Sequence, residues 1–113
     1  MGHIIWIVSS DTVQSHKLWR YFDATFPEAI IWQFYTGKDA LTHEGDEPTI
    51  VILTQKISAD GWPHWGLLIA EQIRALHPRA SVNYVGPEDD RSECAQENVR
   101  FILESSFPRG WWT

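Results

Sequence analysis

Two hydroxyl-bearing segments carry residue types that could do chemistry. Ser9-Ser10-Asp11 follows the apolar run Ile4–Val8, and Thr54-Gln55-Lys56 follows Thr49–Leu53. A serine or threonine hydroxyl can take up an electrophile such as a phosphoryl group, but it needs an adjacent base to attack well. Serines at the start of a helix can also help its free backbone N–H groups hold an anion. Asp11 is the one carboxylate among them and could ligate a cation; its simpler role is to cap the helix that follows, with Gln14 three residues on completing a capping-box pattern. The simpler role of Thr54 is to close its strand. His3, His16, His43, His64 and His77 lie on different elements without metal-ligand spacing, so no metal site is expected from them. Cys94 is the single cysteine, which excludes an intramolecular disulfide and a thiolate zinc cluster and fits a reducing cytoplasm. It sits among Asp89, Asp90, Glu93 and Glu97, which raise rather than lower a thiol pKa, so a packing role is expected of it.

The 113 residues are expected to form one domain over residues 1–113. Hydrophobic residues make up 43% and charged residues 21%, the balance of a globular chain with a core. No apolar run approaches the ~18 residues that would suggest a membrane span, and Met1-Gly2-His3 does not open a signal peptide. Nine Lys and Arg against fifteen Asp and Glu give a net charge of −6. Phosphate binding needs clustered positive charge, so direct nucleic-acid binding is not expected. The acidic residues of Glu88 to Glu97 read as a solvated helix start, with a docking site for a basic partner as the alternative. Seven tryptophans are the odd feature of the composition.

The elements that must position these residues can be read from apolar spacing. Ile4–Val8 is a short β-branched run suited to a strand buried on both faces of a parallel sheet. From Thr12 to Phe26, Leu18, Phe22 and Phe26 recur every four residues with Trp19 alongside, a helix face that Pro27 ends. Ala29–Tyr35 reads as a second strand, Lys38–His43 as a short helix and Thr49–Leu53 as a third strand. Trp65, Leu68, Ile69, Ile73 and Leu76 form the apolar stripe of the next helix, closed by His77-Pro78. Ser81–Val85 is a fourth strand, and Asp90–Ser106 reads as a last helix with Val99, Ile102 and Leu103 inward. Strands alternating with helices predict a doubly wound α/β/α domain of four or five parallel strands, flavodoxin-like.

In such a sheet the function sits at the carboxyl ends of the strands. Taken with those ends, the segment from Gly66 to Pro78, followed by strand four, resembles the third helix of response-regulator receiver domains. Ile4–Val8 with its capped helix and Ile50–Leu53 fall where that family has strands one and three, so the resemblance spans residues 4 to 87. It implies a phospho-acceptor aspartate at Thr54, a magnesium-holding acidic pair at Ser9-Ser10 with only Asp11 acidic and one place late, and a hydroxyl at Gly86. The loop from Thr54 to Gly66 is about four residues longer than the family's usual spacing, and no strand-five lysine can be placed. Magnesium favours carboxylate oxygens, and a threonine hydroxyl is a poor substitute for an aspartate nucleophile. The resemblance therefore implies a degenerate pseudo-receiver that does not use phosphorylation, neither an enzyme nor a holder of a metal or cofactor.

Trp6 and Trp32 fall inside strands and are expected in the core, whereas Trp62, Trp65, Trp111 and Trp112 are candidates for an interface. The expected function is regulation by binding another protein, in signal transduction or transcription. With no fifth strand, the edge of strand four is expected either to self-associate as a homodimer or to be covered by Gly110–Thr113. The alternative is a small nucleotide- or ligand-binding domain whose crevice is lined by Ser9, Ser10, Thr54, Lys56 and Gly86. A third reading takes the chain as the input domain of a longer regulator.

Overall fold

A computed structural model describes residues 2–54 and 66–103. β1 spans Ile4–Val8, α1 Thr12–Thr25, β2 Ile30–Phe34, α2 Gly37–Leu41 and β3 Ile50–Thr54. Next come α3 at Gly66–Leu76 and β4 at Ser81–Gly86. A single 3-10 turn at Glu88–Asp90 runs into α4 at Arg91–Gln96, and β5 follows at Arg100–Leu103. The strands form one sheet in the order β2-β1-β3-β4-β5, every pairing parallel.

The continuous apolar runs are explained by the two covered faces. Side chains alternate along a strand, so Ile5 and Ile7 pack on one face with Leu18 and Phe22 of α1, while Trp6 and Val8 pack on the other with Leu67, Ala70 and Ile73 of α3. All of these are fully buried or nearly so. This is the doubly wound α/β fold expected, with the flavodoxin-like strand order 2-1-3-4-5. Because the strands are parallel, Val8, Thr54 and Gly86 all finish at the same end of the sheet.

Four expectations need correction. The last helix does not run to Ser106: Glu97 N–H closes it on the Glu93 carbonyl, and Asn98 turns left-handed at φ 57°. Asparagine tolerates that conformation at a helix end better than most residues do. The chain then enters β5, and Val99, Ile102 and Leu103, assigned to a helix face, belong instead to a strand and its approach. A fifth strand therefore covers the edge of β4 that was expected to be open, which removes the premise for self-association there. Trp32 is not in the core but 44% exposed, since β2 is an edge strand. Leu76, placed on the apolar stripe of α3, stands exposed in the last turn.

Candidate functional site

The site is the end of the sheet where β1, β3 and β4 stop. Ser9 follows β1, and its N–H donates to the Phe34 carbonyl at 2.9 Å, holding it in line with the sheet. Thr54 is the last residue of β3. Both side chains are buried, and the Thr54 hydroxyl donates to Ser9 Oγ at 2.7 Å. Ser9 Oγ also accepts the Asp11 N–H at 3.2 Å and lies 3.4 Å from the Asp11 carbonyl, to which it donates. The two hydroxyls thus form a closed polar contact between the tips of neighbouring strands.

Ser10 and Asp11 point elsewhere. The Ser10 hydroxyl donates to the Tyr35 carbonyl at 2.6 Å, tying the β1 tip to the tip of β2. Asp11 adopts extended backbone, and its Oδ1 accepts from Val13 N–H at 3.0 Å and Gln14 N–H at 3.1 Å. That carboxylate is the N-cap of α1 and satisfies two of the amides that every helix start leaves open.

At the tip of β4 the side-chain space beside Gly86 is taken. The ring of Tyr84, two residues back on the same face of the strand, lies so close that a Cβ on Gly86 would meet its Cζ at 2.7 Å and its hydroxyl oxygen at 2.8 Å. The Tyr84 hydroxyl in turn donates to Asp90 Oδ2 at 2.6 Å. The sequence assigned Tyr84 no role here and Asp90 only a place at a helix start. The period of two along β4 was the available signal, because it sets residues 84 and 86 on one face.

Beyond the sheet ends, Glu71 on α3 and Glu93 on α4 come together. Burial, then the hydrogen bond that protonated Glu71 donates to Glu93 and the negative charges of Glu93 and Glu97, push the Glu71 carboxyl up to about 7. Cys94 is fully buried, and burial first, then Asp90, Glu93 and Glu71, push its thiol up to about 11. Such a thiol stays protonated at neutral pH and packs as a small apolar group. On the exposed side, Arg91 reaches both carboxylate oxygens of Glu88, at 2.6 and 2.9 Å. Among the described residues no group of three His, Cys, Asp or Glu side chains could hold a metal ion, and no helix is long and apolar enough to cross a membrane. Lys56, Trp62, Trp65, Trp111 and Trp112 lie outside the described residues.

No protein-family model matches the sequence, and no curated protein matches it. Solved structures do. A BeF3-activated DrrB receiver domain superposes with a TM-score of 0.77 at 17% identity, over 95% of this chain and 87% of that one. The phosphorylated cyanobacterial phytochrome response regulator RcpA gives 0.76 at 15% identity, over 96% and 84%. A LuxR-family DNA-binding response regulator from Staphylococcus aureus gives 0.74 at 17% identity, over 91% and 87%. At these identities the likeness speaks for architecture alone, and the architecture is that of a receiver domain.

Proposed function

We propose that this chain is a phosphorylation-independent receiver-like module that regulates by binding another protein. The observation that carries the reading is the buried Thr54–Ser9 hydroxyl pair at the tips of β3 and β1. In a receiver these tips bear the phospho-acceptor aspartate and the acidic residues that hold magnesium. Here the oxygens at both tips are neutral hydroxyls engaged with each other. A divalent cation takes hard, charged oxygen ligands, and the nearby carboxylate of Asp11 is occupied with the first amides of α1. The residues present do not fit magnesium, and no phosphoryl-transfer step is derived for them.

Two further observations support the same reading. A phosphoryl group on Thr54 would need a hydroxyl that solvent can reach, and Thr54 is 1% exposed. The Tyr84 ring fills the side-chain space at Gly86, where receivers keep a hydroxyl to contact the phosphoryl group. A nucleotide or small ligand in the same crevice would meet the same closed contacts at Ser9, Thr54 and Gly86, so they favour protein binding over that alternative. The proposed binding surface is the segment with Trp62 and Trp65 together with Trp111 and Trp112, since aromatic side chains are enriched among the anchors of interfaces.

The test has two arms. Adding beryllofluoride or acetyl phosphate with magnesium should leave the amide resonances of Ser9, Ser10, Thr54 and Gly86 where they are. Saturable shifts at these residues would overturn phosphorylation independence. The second arm captures partners on the immobilised protein. A stoichiometric partner lost from a Trp62→Ala/Trp111→Ala/Trp112→Ala variant that still folds is expected. Failure to retain any other protein would remove the interaction reading.

A further inference from the structure

We propose that residues 88–98 form a pH-gated flap, which opens locally while the sheet stays folded and opens more often once the Glu71–Glu93 pair against it is fully ionised. The proposal stands apart from the protein-binding role. The segment is built to come away. It begins after Pro87, and Asn98 ends it in left-handed backbone at φ 57°. Between them stand one 3-10 turn and the six residues of α4, too short a helix to persist without packing. Of the turn and the helix together, Cys94 is the one buried residue, and no side chain caps the first turn of α4. Segments with so little buried apolar surface are the ones that open first. Two contacts help to hold this one down: the Tyr84 hydroxyl on Asp90 Oδ2 at 2.6 Å, and the Arg91 guanidinium 4.6 Å from the centre of the Phe101 ring.

Charge works against closure. The segment carries Glu88, Asp89, Asp90, Glu93 and Glu97 against Arg91, which is bound to Glu88 at 2.6 and 2.9 Å. Across the seam, Glu71 of α3 meets Glu93 and Glu97, and the Cys94 thiol lies near Glu71, Glu93 and Asp90. The neighbouring cations are turned elsewhere. Arg74 Nη1 donates to the Ala80 carbonyl at 2.7 Å, and Arg100, in register with Asn83, projects from the face of the sheet opposite Tyr84.

A proton on Glu71 eases this repulsion, because Glu71 then donates to Glu93 and the seam holds one negative charge fewer. Burial and the two carboxylates keep that proton in place up to about pH 7 while the flap is closed. With the flap open the Glu71 carboxyl is solvated and ionises as an ordinary glutamic acid does. Between pH 4.5 and about 7, then, the closed state holds a proton that opening releases. A rise in pH across that window favours opening. Above it both states are ionised, and the balance no longer moves.

Cys94 is the single cysteine and reads the opening directly. Its rate of reaction with excess maleimide, divided by that of the urea-unfolded chain at the same pH, gives the open fraction and cancels the ionisation of the thiol itself. That fraction should rise about tenfold or more from pH 5 to pH 8 and level off there, a figure reduced for solvent screening. Hydrogen exchange of the Ile52 and Leu53 amides in β3 should give a far smaller open fraction at both pH values, which separates the flap from global unfolding. Glu71→Gln should hold the Cys94 fraction at its acid-end value throughout. A Cys94 fraction no larger than that of Ile52 and Leu53 overturns the flap. A fraction that stays flat with pH in the unmodified chain, or climbs as steeply in folded Glu71→Gln, overturns the gate. Should Glu71→Gln misfold, Glu93→Gln decides: it should move the rise to lower pH, and a rise left in place rejects the pair as its source.

Discussion

The Thr54 hydroxyl donates to Ser9 Oγ at 2.7 Å in a fully buried contact that joins the tip of β3 to the tip of β1. Removing either hydroxyl loses this buried hydrogen bond, at a cost set by the polar group that remains. Thr54→Val, close in shape, should cost about 1–2 kcal/mol in urea unfolding, and Ser9→Ala a similar amount. The double variant should cost about 1 kcal/mol less than the sum, because each single change already removes the same Thr54–Ser9 hydrogen bond. Strict additivity in that cycle would mean that the two hydroxyls do not stabilise one another.

Gly86 is fixed by its neighbour two residues back. A methyl group there would sit 2.7 Å from Cζ of Tyr84, a ring buried in the core and tethered to Asp90. Gly86→Ala should therefore destabilise the chain by about 1–3 kcal/mol, the usual cost of overpacking. In a Tyr84→Leu background the same substitution should cost much less, since the ring it strikes is gone. Thermal unfolding of the four proteins separates the two costs. An equal penalty in both backgrounds would place the conflict in the backbone instead.

Asp11 gives a narrower test. Its carboxylate accepts from two amides of the first turn of α1. Asp11→Ala should cost about 1 kcal/mol in stability, while Asp11→Asn, which keeps the capping oxygen, should cost far less. If Asp11 were instead a cation ligand, magnesium would raise the melting temperature of the unmodified chain and not that of Asp11→Asn. The expected result is no magnesium effect on either protein.

The elements were legible wherever a single period ran long enough. Ile4–Val8 and Ile50–Leu53 announced buried parallel strands, and Leu18 with Phe22 announced the inner face of α1. The end of the chain misled because α4 is a mere six residues and its apolar positions continue into β5 without a Gly or Pro between them. Asn98 was the one local mark of the change, and it is a weaker punctuation than glycine. Trp32 misled for another reason: apolar spacing identifies a strand, but strand order, which makes β2 an edge, is a property of the whole sheet. At the site, Ser9, Thr54 and Gly86 were found from topology, since parallel strands must finish together. That Ser9 and Thr54 would bond to each other, or that Tyr84 would fold over Gly86, depended on rotamers and register that the sequence leaves open.

Glu71 supplies a pH prediction whose sign follows from linkage. Burial and the acidic neighbours Glu93 and Glu97 raise its carboxyl from 4.5 to about 7 in the folded chain. Between those values the folded state holds a proton that the unfolded state has released, so stability falls as pH rises from about 4.5 to about 7 and stays lower above it. Glu71→Gln is neutral at every pH and keeps a group that can donate a hydrogen bond to Glu93. It should leave stability almost unchanged near pH 4 and raise it by about 1 kcal/mol at pH 8, a figure reduced for solvent screening of a partly exposed group. Urea unfolding at the two pH values measures the difference. A variant that gains as much at the acid end as at the alkaline end would show that packing, not the repelling carboxylates between α3 and α4, sets the effect.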